Sequence, residues 1–232
     1  MIMRSLLCKA ACAVAVLGGV VAAHADTIRV PGDQGNSYYV PVTSLREARF
    51  RTTIRQQYDF SCGSAAVATL LTFQYNVPTT EQTVFANMYV NGDQAKIRAE
   101  GFSLLDMKRF LESRGFQADG YELPLSKLEE AQIPAIVLIV ENGYHHFVVV
   151  KGVKGDRVLI GDPARGTRAL ERAHFEQIWD SSLLFVIHNR TEQARFNQAT
   201  DWRVAPSGPY WMGVPRDSLF FTVMPKHGAS DF

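Results

Sequence analysis

Helical patterning in the first half of the chain and short β-branched runs in the second predict an α+β fold, with N-terminal helices packed on an antiparallel sheet. Helices first and strands second argue against an alternating βαβ order. The composition agrees with a packed core. The chain has 232 residues, 47% hydrophobic and 20% charged, an ordinary globular balance that excludes collagen-like, low-complexity and disordered classes. Its length fits one domain with embellishments, or at most two small ones.

The first 25 residues read as a secretory signal peptide. Arg4 and Lys9 supply positive charge, Ala10 to Ala23 is an uncharged apolar run, and Ala23-His24-Ala25 offers small residues for cleavage before Asp26. The run is shorter than the roughly 20 residues a transmembrane helix needs. A membrane is therefore a partner only if this segment stays uncleaved, and the expected location is the periplasm. Residues 26–50 form a turn-rich lead segment with a strand candidate at Ser37 to Val42. From Ser61 to Phe73 the chain reads SCGSAAVATLLTF, a helix apolar nearly all round and so buried, with Ser61 as its cap. A second helix is predicted from Thr79, with Gln82 completing a capping box, to about Tyr89. A third follows Ser103, with Leu104, Met107 and Leu111 on one face and Gly115 placed to end it. Ser126 caps a fourth that must stop before Pro134.

The period then changes. Residues 135–140, 146–150 and 157–160 are apolar strands separated by Glu141-Asn142-Gly143 and Lys154-Gly155-Asp156, which predict an antiparallel meander buried on both faces. A short helix near Glu171 to Trp179 and a strand at Leu183 to His188 close a domain spanning residues 51–189. Residues 190–232 read as an irregular tail whose aromatics (Trp202, Tyr210, Trp211, Phe220, Phe221) are expected to pack back on the domain.

Three cysteines are present, and signal cleavage would remove Cys8 and Cys12. Cys62 then stands alone in an oxidising compartment, where an idle thiol is a liability. An apolar-flanked cysteine is by itself an ordinary core residue. Cys62, however, opens a helix, where free backbone N–H groups favour a thiolate. Upstream, Gln56 is spaced to fold back and join the Cys62 N–H as an oxyanion donor, with Gln57 as the alternative. A thiol nucleophile needs a base and the base an orienting group. If strands 146–150 and 157–160 form a hairpin, His146 and Asp162 share one end of it, within reach of each other. His145 is the alternative base.

These residues carry a resemblance. Q-x5-C-G at Gln56 to Gly63, H-F-V-V-V at His146 to Val150 and G-D-P-x-x-G at Gly161 to Gly166 resemble the C39 peptidases, papain-like cysteine peptidases that cut leader peptides from bacteriocin precursors. The resemblance implies Cys62 as nucleophile, His146 as base and acid, Asp162 as orienter and Gln56 as oxyanion donor. Within the family the chain is most similar to free-standing exported members such as the accessory component of functional-amyloid secretion systems. It departs from the bacteriocin-processing members, which carry transporter helices and an ATPase, so their Gly-Gly preference is not carried over.

The expected function is therefore an exported cysteine peptidase acting on a peptide or protein substrate, such as a secreted or amyloid-type client. Two alternatives stand on the same fold: a module that binds an extended client without cutting it, and a transpeptidase that keeps the same residues but uses an amine acceptor in place of water. A formal net charge of +1 and the lack of any Lys/Arg block give no footprint for nucleic acid. No phosphate-binding glycine motif supports nucleotide chemistry. The set His145, His146, His174, Asp162 and Cys62 lacks metal-ligand spacing, so no metal or cofactor is expected.

Overall fold

A computed structural model describes residues 26–31 and 37–206. The signal segment 1–25 and the aromatics from Tyr210 onward lie outside the described residues. The chain divides into two units after Thr43. In the first, β1 (Asp26–Pro31) pairs antiparallel with β2 (Ser37–Val42), the strand expected there. Ile28 opposes Val40 and Val30 opposes Tyr38, forming one apolar face of a two-stranded ribbon.

The second unit is α+β as predicted. After the short α1 (Leu45–Arg49), the buried helix is α2 (Cys62–Thr69), continued by a π-turn over Leu70–Gln74. Every residue of α2 is buried, which the run of small residues permits. At Gly63 the approach is closest, since an added Cβ would sit 2.7 Å from the Met107 methyl carbon and 3.1 Å from Phe102 Cβ. Next come α3 (Glu81–Asn91), α4 (Gln94–Glu100) and α5 (Leu104–Ser113). The cap of α3 is Thr80, which accepts from Thr83 N–H, one residue later than the Thr79 box. Helix α5 has the full capping box, Ser103 with Asp106, and Gly115 beyond its end takes a φ of 78°. Sequence patterning does not reveal α4, because only Ile97 of its seven residues is buried and no apolar stripe announces it.

The sheet is six-stranded and antiparallel, built from β3 (Ala118–Glu122), β4 (Ala135–Glu141), β5 (Tyr144–Lys154), β6 (Arg157–Asp162), β7 (Gly166–Glu171) and β8 (Leu183–Ile187) in the order β3-β8-β4-β5-β6-β7. Helix α6 (Ser126–Ala131) precedes β4, and α7 (Arg172–Ile178) joins β7 to β8. The β4–β5 turn is Asn142-Gly143, both left-handed with φ 54° and 78°, the conformation a two-residue hairpin demands. Strands β3 and β7 are likewise absent from the sequence pattern. Both are polar edge strands, ADGYE and GTRALE, whose ladders are completed by one neighbour each. Two apolar layers result: Ala66, Leu70, Met107, Phe110 and Val149 on one side, and Val137, Val148, Ile160 and Phe175 on the other.

Residues beyond the last strand also fold onto this unit, through a 3₁₀ turn at Thr191–Gln193 and α8 (Ala199–Trp202). A register shift between Val150 and Gly152 marks a bulge at Lys151. Over it, Asn197 N–H donates to Lys151 O at 2.9 Å. The fully buried Lys151 Nζ donates to Thr52 O (2.7 Å), Thr52 Oγ1 (2.8 Å) and Asp201 Oδ1 (2.9 Å). Trp202 lies under the cations of Lys154 and Arg157.

Candidate active site

Three separate elements deliver the predicted side chains. Cys62 is the first residue of α2, with no acidic residue in the first turn to offset the helix N-terminus. The loop before it is stiff. Ser61 Oγ donates to Glu81 Oε1 at 2.5 Å, Gln57 N–H donates to the same oxygen at 3.1 Å, and Tyr58 N–H donates to Ser61 Oγ at 3.1 Å. Glu81 is buried at the start of α3, so α3 braces the approach to Cys62. Residues 53 and 54 are pinned as well, Thr53 Oγ1 to Thr167 Oγ1 at 2.7 Å and Ile54 N–H to Thr69 Oγ1 at 2.9 Å.

His146 lies on β5, and successive strand residues point to opposite faces. That alternation separates the two candidate bases: His146 is buried, and His145 is exposed on the other face. The β5–β6 register opposes Val149 to Gly161, so Asp162 follows at the end of β5 that carries His146. His146 Nε2 and Asp162 Oδ1 are 2.8 Å apart. The second ring nitrogen, Nδ1, is buried and completes no hydrogen bond among the described residues. The Cys62 side chain lies near enough to the ring to help raise its pKa. Burial works against the imidazolium, but the Asp162 hydrogen bond, the Cys62 side chain and the Asp162 charge outweigh it and hold His146 at about 9. For Asp162, burial is likewise overcome by His146, the Ala164 N–H and Arg168, leaving its carboxyl below the usual range.

The structure thus brings together Cys62, His146 and Asp162. Gln56 stands in the braced loop, tied to the Asp162 turn by its backbone N–H, which donates to Pro163 O at 3.0 Å. Its side-chain Nε2 donates to Tyr58 O at 3.0 Å and more loosely to Asp59 O at 3.4 Å. Gln57 is exposed and bound to Glu81 through its backbone.

Sequence reasoning missed Tyr144, Glu141 and Arg168. Tyr144 shares a face with His146, their rings 6.0 Å apart, and its hydroxyl donates to Asp59 O at 2.7 Å. It therefore spans from β5 to the loop before Cys62. Two positions before a candidate base on a strand is a place where such a neighbour can be sought. Arg168 donates to Asp162 Oδ2 at 3.2 Å through Nε and to both Glu141 oxygens at 3.1 Å through Nη2. A cleft of about 280 Å³ opens beside His146 and Asp162, against Asn142, Tyr144, Ala164 and Arg165. Among the described residues no His/Cys/Asp/Glu group is placed to hold a metal ion, and no helix is long and apolar enough to cross a membrane.

A thiol at a helix start, faced by a carboxylate-bound imidazole on an antiparallel sheet, defines the class of papain-like cysteine peptidases. Residues 51–191 match the model of the peptidase C39 family, and the chain belongs to that family. Its relatives include the "Probable functional amyloid protease FapD" of Pseudomonas aeruginosa, 43% identical over 158 residues that cover 68% of this chain and 69% of that protein. The protein of the same description from Pseudomonas fluorescens is 41% identical over 165 residues, covering 71% and 72%. Among solved structures, the peptidase domain of Streptococcus ComA, a bi-functional ABC transporter involved in a quorum-sensing pathway, aligns with a TM-score of 0.49 at 17% identity, covering 59% of this chain and 98% of that domain.

Proposed function

We propose that the protein is an exported peptidase that hydrolyses a peptide bond in a secreted protein or leader peptide, with Cys62 as nucleophile, His146 as general base and acid, and Asp162 as orienter. The observation that carries this reading is the 2.8 Å contact of His146 Nε2 with Asp162, which leaves the other ring nitrogen for the Cys62 thiol. Proton transfer from Cys62 to His146 gives a thiolate–imidazolium pair, and Sγ attacks the scissile carbonyl carbon. The oxyanion takes the Cys62 backbone N–H and a Gln56 Nε2 hydrogen; the one held loosely by Asp59 O at 3.4 Å is the one to release. His146 then protonates the leaving amine, and water deprotonated by His146 hydrolyses the thioester.

Export to the periplasm rests on the signal pattern of residues 1–25. A role in a functional-amyloid system is supported by the description of the two Pseudomonas relatives. The test compares mature secreted proteins of the source cell, by N-terminal sequencing, with wild-type protein and with Cys62→Ala. The variant should abolish one or more cleavages while keeping the wild-type unfolding transition. Unchanged processing in a folded Cys62→Ala protein rules the nucleophile out.

A further inference from the structure

Asp162 uses its two oxygens differently. Oδ1 binds His146 and also accepts from Ala164 N–H at 2.8 Å and Arg165 N–H at 3.1 Å. Oδ2 accepts from Arg168 alone among the described hydrogen bonds. Register explains how Arg168 arrives there. Asp162 opposes Gly166 across β6 and β7, and the residue two further along a partner strand is the diagonal neighbour on the same face. Gly166, at φ 80°, lies against Arg49, whose Cβ and carbonyl fill the place a side chain would take, and Arg168, two residues on, lies diagonally across from Asp162 and binds its carboxylate. Its guanidinium then continues to Glu141 at the end of β4, so one cation joins β4, β6 and β7 around the histidine of β5.

We infer that Arg168 is a positioning residue for the peptidase site, holding Asp162 ionised and aimed at His146, with Glu141 drawing part of its charge away. The inference rests on the Cys62–His146–Asp162 reading above. Arg168 is suited to this task because its planar fork serves two carboxylates at once, which a lysine ammonium does only as a point charge. The Arg168 side chain is 16% exposed and Asp162 1%, so solvent screens the pair weakly. The other charged or titratable groups around Asp162 are His146 from β5 with Cys62 beyond it, Arg165 from the turn, Glu141 and Tyr144 from the β4–β5 hairpin, and Arg49 of α1, whose backbone packs on Gly166 opposite Asp162. Arg165 pairs with Glu141 at 2.5 Å, and Lys151, whose stem passes Gly161, is committed to Asp201.

The test needs no substrate. Full-length protein is alkylated with iodoacetamide across pH 4–9, and the Cys62 rate is read by peptide mass mapping. The acid limb of that profile belongs to the coupled cysteine, histidine and carboxylate. Arg168→Gln should move the limb to higher pH by about one unit, because a carboxylate that loses an adjacent cation protonates earlier. Glu141→Gln should move it to lower pH, because Asp162 then has one carboxylate fewer beside it and Arg168 undivided. Arg168→Lys, which keeps the charge, should stay within about 0.3 unit of wild type on the same reasoning. A purely structural Arg168–Glu141 bridge predicts the same direction for both charge-removing variants, and that result overturns the inference. So does an Arg168→Gln shift that persists in an Asp162→Asn background. If Arg168→Gln does not fold, the downward shift of Glu141→Gln decides, since an unmoved or raised limb there is equally fatal. A His146→Ala control separates the two readings. If that change leaves the Cys62 rate unaltered, the peptidase reading falls and takes this inference with it. If it slows Cys62 while Arg168→Gln leaves the limb in place, only the role of Arg168 is lost.

Discussion

Replacing Asp201 by alanine strands a cation. All three Lys151 donors are satisfied in the native protein, two by Thr52 and one by Asp201, and the ammonium has no solvent exposure. Removing one partner of such a buried pair costs about 3–5 kcal/mol, chiefly because the remaining charge is uncompensated. The lysine has one escape, which is to lose its proton. Burial already lowers its pKa, with Asp201 holding it up, so deleting Asp201 lowers it further. The unfolded chain, with lysine near 10.4, then binds more protons than the native one over a wider pH window. Stability of the variant therefore rises with pH through that window, at up to about 1.4 kcal/mol per unit. The deficit against wild type should be largest near pH 6 and shrink toward pH 10. Urea unfolding followed by far-UV circular dichroism at pH 6, 8 and 10 measures it. The double variant Lys151→Met/Asp201→Leu should recover most of the loss, since apolar replacements of buried pairs are often neutral. A deficit below about 1 kcal/mol that does not change with pH refutes the reasoning, since a penalty of several kcal/mol belongs only to a charge that is truly desolvated.

Two further outcomes follow from the geometry. Gly63→Ala places a methyl 2.7 Å from Met107 Cε and 3.1 Å from Phe102 Cβ, and overpacking of this kind costs about 1–3 kcal/mol. The methionine end can move but the Phe102 Cβ cannot move far, so the unfolding midpoint should drop and Cys62 alkylation slow together; an unchanged midpoint counts against the packing. His146 is held at about 9, above its unfolded value near 6.5, so its contribution is fully present below 6.5 and lost as pH rises through 9. That contribution amounts to ~3 kcal/mol, and Asp162→Asn should flatten the decline in stability between pH 7 and 10; an identical slope in both proteins excludes the histidine as its source.

The local parts of this molecule were readable because they are encoded locally. Continuous β-branched runs and an Asn-Gly turn define the β4–β5 hairpin, and short spacing sets His146 and Asp162 at one end of β5 and β6. A run of small apolar residues announces α2 with Cys62 at its start. Polar edge strands and the sparsely buried α4 gave no such signal, because their stability comes from neighbours and not from their own pattern.

By itself, then, the order of residues determined the fold class, the helix that opens on Cys62 and the hairpin that brings an imidazole to a carboxylate. Tertiary structure alone decided that Arg168 joins Asp162 to Glu141, and that Lys151 meets Asp201 under the bulge of β5. Periodicity acts over a few residues and leaves a trace in composition. A charge finds its partner through space, where a separation of 50 residues between Lys151 and Asp201 closes to 2.9 Å once the core has packed.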